Sequence, residues 1–123
     1  MGAQLVGKAF AFATEHELKA NEMRLLVWMS LMAMDRDTPP RYFASREESA
    51  YGLGRFVPDE PHPLDANAEV ATLEREAAFQ RVKIATAGLV RSGAITRTRR
   101  GQAGNRAEFV LSYGQPVDAI RGT

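Results

Sequence analysis

The chain has 123 residues, 45% of them apolar, and a formal charge of +1, which suits one domain able to bury a modest core. It contains no cysteine, so disulfides and thiolate metal sites are excluded. No run reaches the ~18 apolar residues expected of a membrane span, and the N-terminus lacks the basic, apolar and cleavage segments of a secretory signal.

Residues 3 to 16, AQLVGKAFAFATEH, read as a helix with Leu5, Ala9 and Phe12 on one side and Phe10 on another. The alternation of Phe10 and Phe12 with alanines is also compatible with a short strand. As an N-terminal extension, this segment would cover the core or join a neighbouring subunit. Leu18 to Met34 is a clearer helix: Leu25, Trp28, Met29 and Met32 form one stripe, and Leu26, Val27, Leu31 and Met34 widen it nearly around the rod. Such a helix is either central to the fold or partly buried by a partner, and its four methionines make a pliable packing surface. A homodimer through residues 3–16 and 18–34 is one expectation. Lys19 is a poor cap, so Asn21 is the better candidate.

Pro39 and Pro40 end any helix, and Tyr42-Phe43 has the length of a short strand. Ser45-Arg-Glu-Glu48 matches a capping box, opening a short helix that ends near Tyr51-Gly52. From residue 53 to 71 runs a long loop rich in proline and acid, holding Pro58, Pro61 and Pro63. Loops of this length are uncommon inside compact domains and are either functional or disordered. Because Leu73 would face outward, the next helix is expected to start near Thr72 to Glu74, with Asp65 to Ala71 as a separate turn.

Between Glu76 and Glu108 there is no Asp or Glu, while Arg81, Lys83, Arg91, Arg97, Arg99, Arg100 and Arg106 supply seven positive charges. The helix over about 74–92 carries Phe79, Val82, Ala85, Thr86 and Leu89 on one stripe. Turning 100° per residue sets Gln80, Lys83, Ile84, Ala87 and Arg91 roughly opposite, with Arg81 on a flank. By itself this describes an amphipathic helix with a solvated face. Gly93 sits where a left-handed stop is expected. Residues 94–113 then alternate as a two-stranded ribbon. Ile95 points inward with Thr96 and Thr98 opposite; Phe109, Leu111 and Tyr113 share one face, and Glu108, Val110 and Ser112 the other. The GQAGN segment closes the hairpin, with Gln102 and Asn105 at its tip. Like charges crowded on a ribbon repel unless an anion lies between them, and a nucleic-acid backbone is the commonest such anion. Protection of a sheet edge is the plain alternative. Residues 114–123 read as a tail.

The run LVRSGAITRTRRGQAGNRAEFVL resembles the recognition-helix end and wing of a winged helix-turn-helix domain, on Leu89-Val90, Gly93, Ile95, the basic strand, the glycine-containing tip and Phe109-Val110-Leu111. Phrases such as MSLMAMDRDTPPRYFAS, followed by a short helix, resemble small helix-turn-helix proteins of actinobacterial phages and plasmids. The likeness covers roughly residues 18 to 113. It implies a mainly α fold with a small antiparallel β-wing (α+β), a bacterial cytoplasmic setting, and a non-enzymatic role as a transcription regulator or replication-associated factor. The loop at 53–71 departs from the pattern, since helix-turn-helix connections span only a few residues.

That resemblance implies a reading of double-stranded DNA. Gln80 suits adenine, Lys83 suits guanine, and Ile84 or Ala87 suits a thymine methyl. Arg81 and Arg91 would hold phosphates. Arg97, Arg99, Arg100, Gln102, Asn105 and Arg106 would lie along the backbone or in the minor groove. Ser45 and Arg46 would face phosphate, although a cap serving helix stability alone explains Ser45 as well. Glu76 is better explained by the helix dipole than by contact with cytosine. The other reading of the same fold is a protein-interaction module that uses helix 18–34 and the acidic loop. His16 and His62 are poorly placed as metal ligands, and no nucleophile and base can be assembled, so no cofactor is expected.

Overall fold

The computed structural model describes residues 2–34, 36–54, 57–99 and 106–115. Their order is α1 (Ala3–His16), α2 (Ala20–Met32), β1 (Arg41–Phe43), α3 (Arg46–Gly52), α4 (Ala68–Ser92), β2 (Ile95–Arg99) and β3 (Glu108–Leu111). The architecture is mixed α+β: four helices and a small antiparallel sheet among the described residues.

The 3.6-residue period decides α1. Leu5, Ala9 and Phe12 are buried on one side while Phe10 stays 57% exposed, so the strand alternative falls. Along α2, Leu25, Leu26 and Met29 are at most 1% exposed. These side chains are spent on the chain's own core, and exposed apolar surface on this helix is confined to its end, at Leu31 and Met32. Asn21 is not the cap. Lys19 takes that position because its amide donates to the Glu22 carboxylate three residues on, at 3.0 Å.

The capping box of α3 forms as the spacing requires. Ser45 Oγ accepts from the Glu48 amide at 3.2 Å, and Glu48 reaches back to the Ser45 amide at 3.5 Å. Tyr42 and Ser49 share a buried hydroxyl hydrogen bond of 2.9 Å, which ties β1 to α3. Burial pushes the Tyr42 phenol above its ordinary value of 10.0, against the lowering effect of the Ser49 hydrogen bond. A raised native value means the folded chain holds its proton where the unfolded chain has released it. Stability is therefore fully present below pH about 10 and falls as pH rises beyond it. Alkaline denaturation followed by circular dichroism should show this loss, and Tyr42→Phe should flatten it.

The long helix starts earlier than its periodicity suggests, at Ala68 instead of Thr72 to Glu74. Turns over residues 62–67 lead into it through Asp65 N–H to His62 O (2.9 Å) and Ala68 N–H to Asp65 O (3.1 Å). Thus only 65–67 of the expected separate turn lies outside the helix. Burial of apolar groups does not explain the extra turns, because Val70 and Leu73 are 57% and 62% exposed. This half of the helix is tied down by Arg75, whose guanidinium donates to Pro58 O and to Glu47 Oε1, both at 2.9 Å, joining the loop and α3 to α4. A backbone amide at the α3 N-terminus, and then Arg75, hold the Glu47 carboxyl below its ordinary value.

Gly93 ends α4 in the left-handed conformation, φ 86°, and its amide bonds back to Val90 O. Gly88 has a different task. A Cβ there would fall on the Glu22 carboxylate, so the missing side chain lets α4 close on α2.

The sheet order is β1-β3-β2, antiparallel throughout. Tyr42 pairs with Phe109, and Ile95 with Leu111. A bulge between Arg97 and Arg99 breaks the alternation, leaving Thr98 without a register partner. Both faces of β3 are covered: Val110, on the face opposite Phe109 and Leu111, is 0% exposed. As the central strand, β3 sets Val110 between Arg41 and Thr96, whose side chains flank it on both sides.

Candidate functional site

The residues expected on the open side of α4 are there: Gln80, Lys83, Ile84, Ala87 and Arg91 are all exposed, as is Arg81 on the flank. The buried side holds Ala78, Val82, Ala85, Thr86, Gly88 and Leu89. Rotation about one helix axis accounts for both sets.

Tertiary packing then divides the open face. Gln80 and Lys83, with Ser45, Arg46 and Arg97, line a cleft of about 550 Å³ between α3, α4 and the β-ribbon. Its floor is apolar, with Met29, Phe79, Val82 and Phe109. Arg81 and Ile84 instead face the start of α2 and line a shallow depression with Lys19, Ala20 and Asn21. Five of the expected site residues therefore meet in one concavity, while Arg81 and Ile84 border another.

Rings hold several of the cations. The Arg46 guanidinium lies 4.1 Å from the Phe79 ring centre, and Arg75 lies 4.9 Å from the same ring. Arg97 stands 5.3 Å over Phe109. A guanidinium kept in place by an aromatic face loses little freedom when it next meets an anion, while its in-plane donors remain available. The Arg75 contact was not among those expected, although Arg75 lies inside the helix expected over about 74–92. The i, i+4 spacing of Arg75 and Phe79 was the sign that could have revealed it.

Not every expected cation is free. Arg106 forms an ion pair with Glu48 at 3.2 Å, and Arg99 Nε donates to the Arg106 carbonyl at 3.0 Å. Glu108 Oε1 accepts from Thr98 Oγ1 at 2.8 Å and lies 4.0 Å from Arg41, so the ribbon carries its own counter-charge. Ser45 Oγ serves the α3 cap, bonding to the amide and carboxylate of Glu48. These bonds bear out the capping role expected of Ser45. Arg100, Gln102 and Asn105 lie outside the described residues.

Charge along α4 is strongly polarised. Glu69, Glu74 and Glu76 are exposed on its first half, and Arg81, Lys83 and Arg91 on its second. Glu76 also reaches the cleft, the single acid among its lining residues. Neither histidine is presented as a ligand. His16 Nδ1 donates to Phe12 O and its ring stacks on Phe12, while His62 Nδ1 accepts from the Leu64 amide. Among the described residues no group of three His, Cys, Asp or Glu could hold a metal, and no helix is long and apolar enough to cross a membrane.

Comparison with protein-family models, curated proteins and solved structures finds no match to this chain.

Proposed function

We propose that this chain is a winged helix-turn-helix protein that binds double-stranded DNA in a sequence-dependent way, acting as a regulator or replication-associated factor and working by binding alone. In this reading β2 and β3 are the wing, α3 is the positioning helix, and the second half of α4 enters the major groove. The observation that carries it is the convergence of Arg46, Gln80, Lys83 and Arg97 on one concavity between α4 and the ribbon. The element order and the central place of β3 in the sheet support the same reading.

The acids of α4 limit which part of that helix meets DNA. Glu69, Glu74 and Glu76 would be driven from a phosphate backbone, so contact begins near Gln80. Gln80 offers paired donor and acceptor groups to an adenine edge, and Lys83 approaches guanine. Arg81, Arg91, Arg97 and Arg99 are left for phosphates. With roughly four to six phosphates neutralised, log K against log salt should fall with a slope of about −4 to −5. Fluorescence anisotropy on genomic fragments of the parent replicon measures it, and a slope near zero removes the reading. Gln80→Ala should leave that slope alone and shift the preferred sequence instead, by about 1–3 kcal/mol at one base pair. Selection of bound fragments from a random pool would show the shift.

The other use of the fold, as a protein-interaction module built on α2, loses part of its footing. Leu25, Leu26 and Met29 are already buried inside the chain.

A further inference from the structure

The solvent side of α4 carries more apolar surface than a groove-reading helix needs. Val70, Leu73 and Ile84 are 57%, 62% and 58% exposed, and Ala77 and Ala87 continue the same line. Their spacing is heptad-like. Val70, Ala77 and Ile84 recur every seven residues, and Leu73, Gln80 and Ala87 fall three after each. The flanks of this seam are charged and equally regular. Glu74 and Arg81 occupy one side, and Glu69, Glu76 and Lys83 the other. Among the described residues, Glu74, Glu76, Arg81 and Lys83 form no ion pair.

We infer that this face docks against α4 of a second copy of the chain, with the two helices antiparallel. Sequence pattern and charge select both the partner and the direction. In an antiparallel pair each flank meets its own counterpart running the other way. Aligning Leu73 with the partner's Ile84 sets Ala77 against the partner's Gln80. The same register brings Glu74 to the partner's Arg81 and Glu76 to the partner's Lys83, and two-fold symmetry makes every contact twice. A parallel pair is less well matched on the same residues, because opposite flanks then meet: Glu76 finds the partner's Arg81, but Glu69 is set against the partner's Glu74 and Lys83 has no acid to face. Nucleic acid is a poor occupant of the first half of this face, which bears three acids. A second copy supplies what that half lacks, a cationic and apolar strip of matching length. Shallow depressions beside the seam, at Pro61 and Pro63 on one flank and at Lys19 to Asn21 on the other, leave room beside the helix. The contact is small and belongs to the weak, transient class.

Pairing covers Gln80, Ile84 and Ala87. The paired form is therefore closed to DNA, and self-association and DNA binding exclude one another. That competition rests on the DNA reading above; the pairing itself does not.

Charge reversal tests the pairing without DNA. Sedimentation velocity from micromolar to millimolar chain should show wild type rising toward the two-chain mass. A chain with Glu74→Lys and Glu76→Lys, and another with Arg81→Glu and Lys83→Glu, should each stay monomeric with unchanged circular dichroism. Mixed in equal amounts, they should associate, since every facing pair is then of opposite sign. A wild type that stays monomeric throughout overturns the inference, as does a mixture of the two variants that fails to associate. Leu73→Gln should weaken self-association by about tenfold, while DNA binding by the dilute chain stays at the wild-type level. Self-association of Leu73→Gln at wild-type strength also overturns it. If no DNA binds but the mixture still associates, the DNA reading fails and the pairing stands.

Discussion

Leu89→Ala should destabilise the protein by about 2–5 kcal/mol, whereas Leu73→Ala on the same helix should change stability by no more than about 0.5 kcal/mol. The chemistry of the two substitutions is identical, so the difference isolates the surroundings. Leu89 is 0% exposed and belongs to the cluster that joins α2 through Leu25, Leu26 and Met29 to the sheet through Ile95 and Leu111. Truncation there removes the transfer energy of the side chain and leaves a void that its neighbours fill only in part. Leu73, 62% exposed, leaves no void. With a total stability on the order of 5–15 kcal/mol for a domain of this kind, loss at Leu89 approaches the limit of folding at ambient temperature. Urea denaturation checks both: the midpoint of Leu89→Ala should fall with its m-value unchanged, and that of Leu73→Ala should stay near wild type. Equal midpoints would mean that α4 packs on the core with a different face.

On the proposed DNA reading, replacing Arg91, Arg97 and Arg99 together by alanine should weaken binding on the order of 10²-fold at 0.1 M salt and make the salt slope shallower by about 3. All three are exposed, so stability should be nearly untouched. Each phosphate left unneutralised forfeits its share of released counterions, about 0.9 decade in K per decade of salt. Because that term is blind to base identity, the loss should be the same on every duplex. A loss confined to one sequence would instead assign these residues to base edges. No loss at all would place the contact surface elsewhere. Arg106 is left out of the set because Glu48 already balances its charge.

Much of the local structure follows from short-range pattern. The two sides of α4 were readable from a 100° turn per residue, the α3 cap from Ser45 and Glu48, and the helix stop from Gly93. Each depends on atoms within about one turn of one another. The readings that failed depend on partners remote in the chain. α4 reaches back to Ala68, and Arg75 ties its first half to Pro58 and Glu47. The Lys19 cap of α2 is itself local, through the Glu22 carboxylate three residues on, but that carboxylate is packed against the remote Gly88.

The candidate site divides along the same line. Sequence alone determined which side chains leave the body of α4, that its second half and the ribbon are cationic, and that no thiol chemistry is available. Only the tertiary structure decided which of those charges stand together. It placed Arg46, Gln80, Lys83 and Arg97 around one cleft, set Arg81 and Ile84 beside another, and matched Arg106 with Glu48. The physical reason is one of range: backbone geometry sets a direction at each residue, but the net charge at a point in space is a sum over residues that meet only once the core has closed.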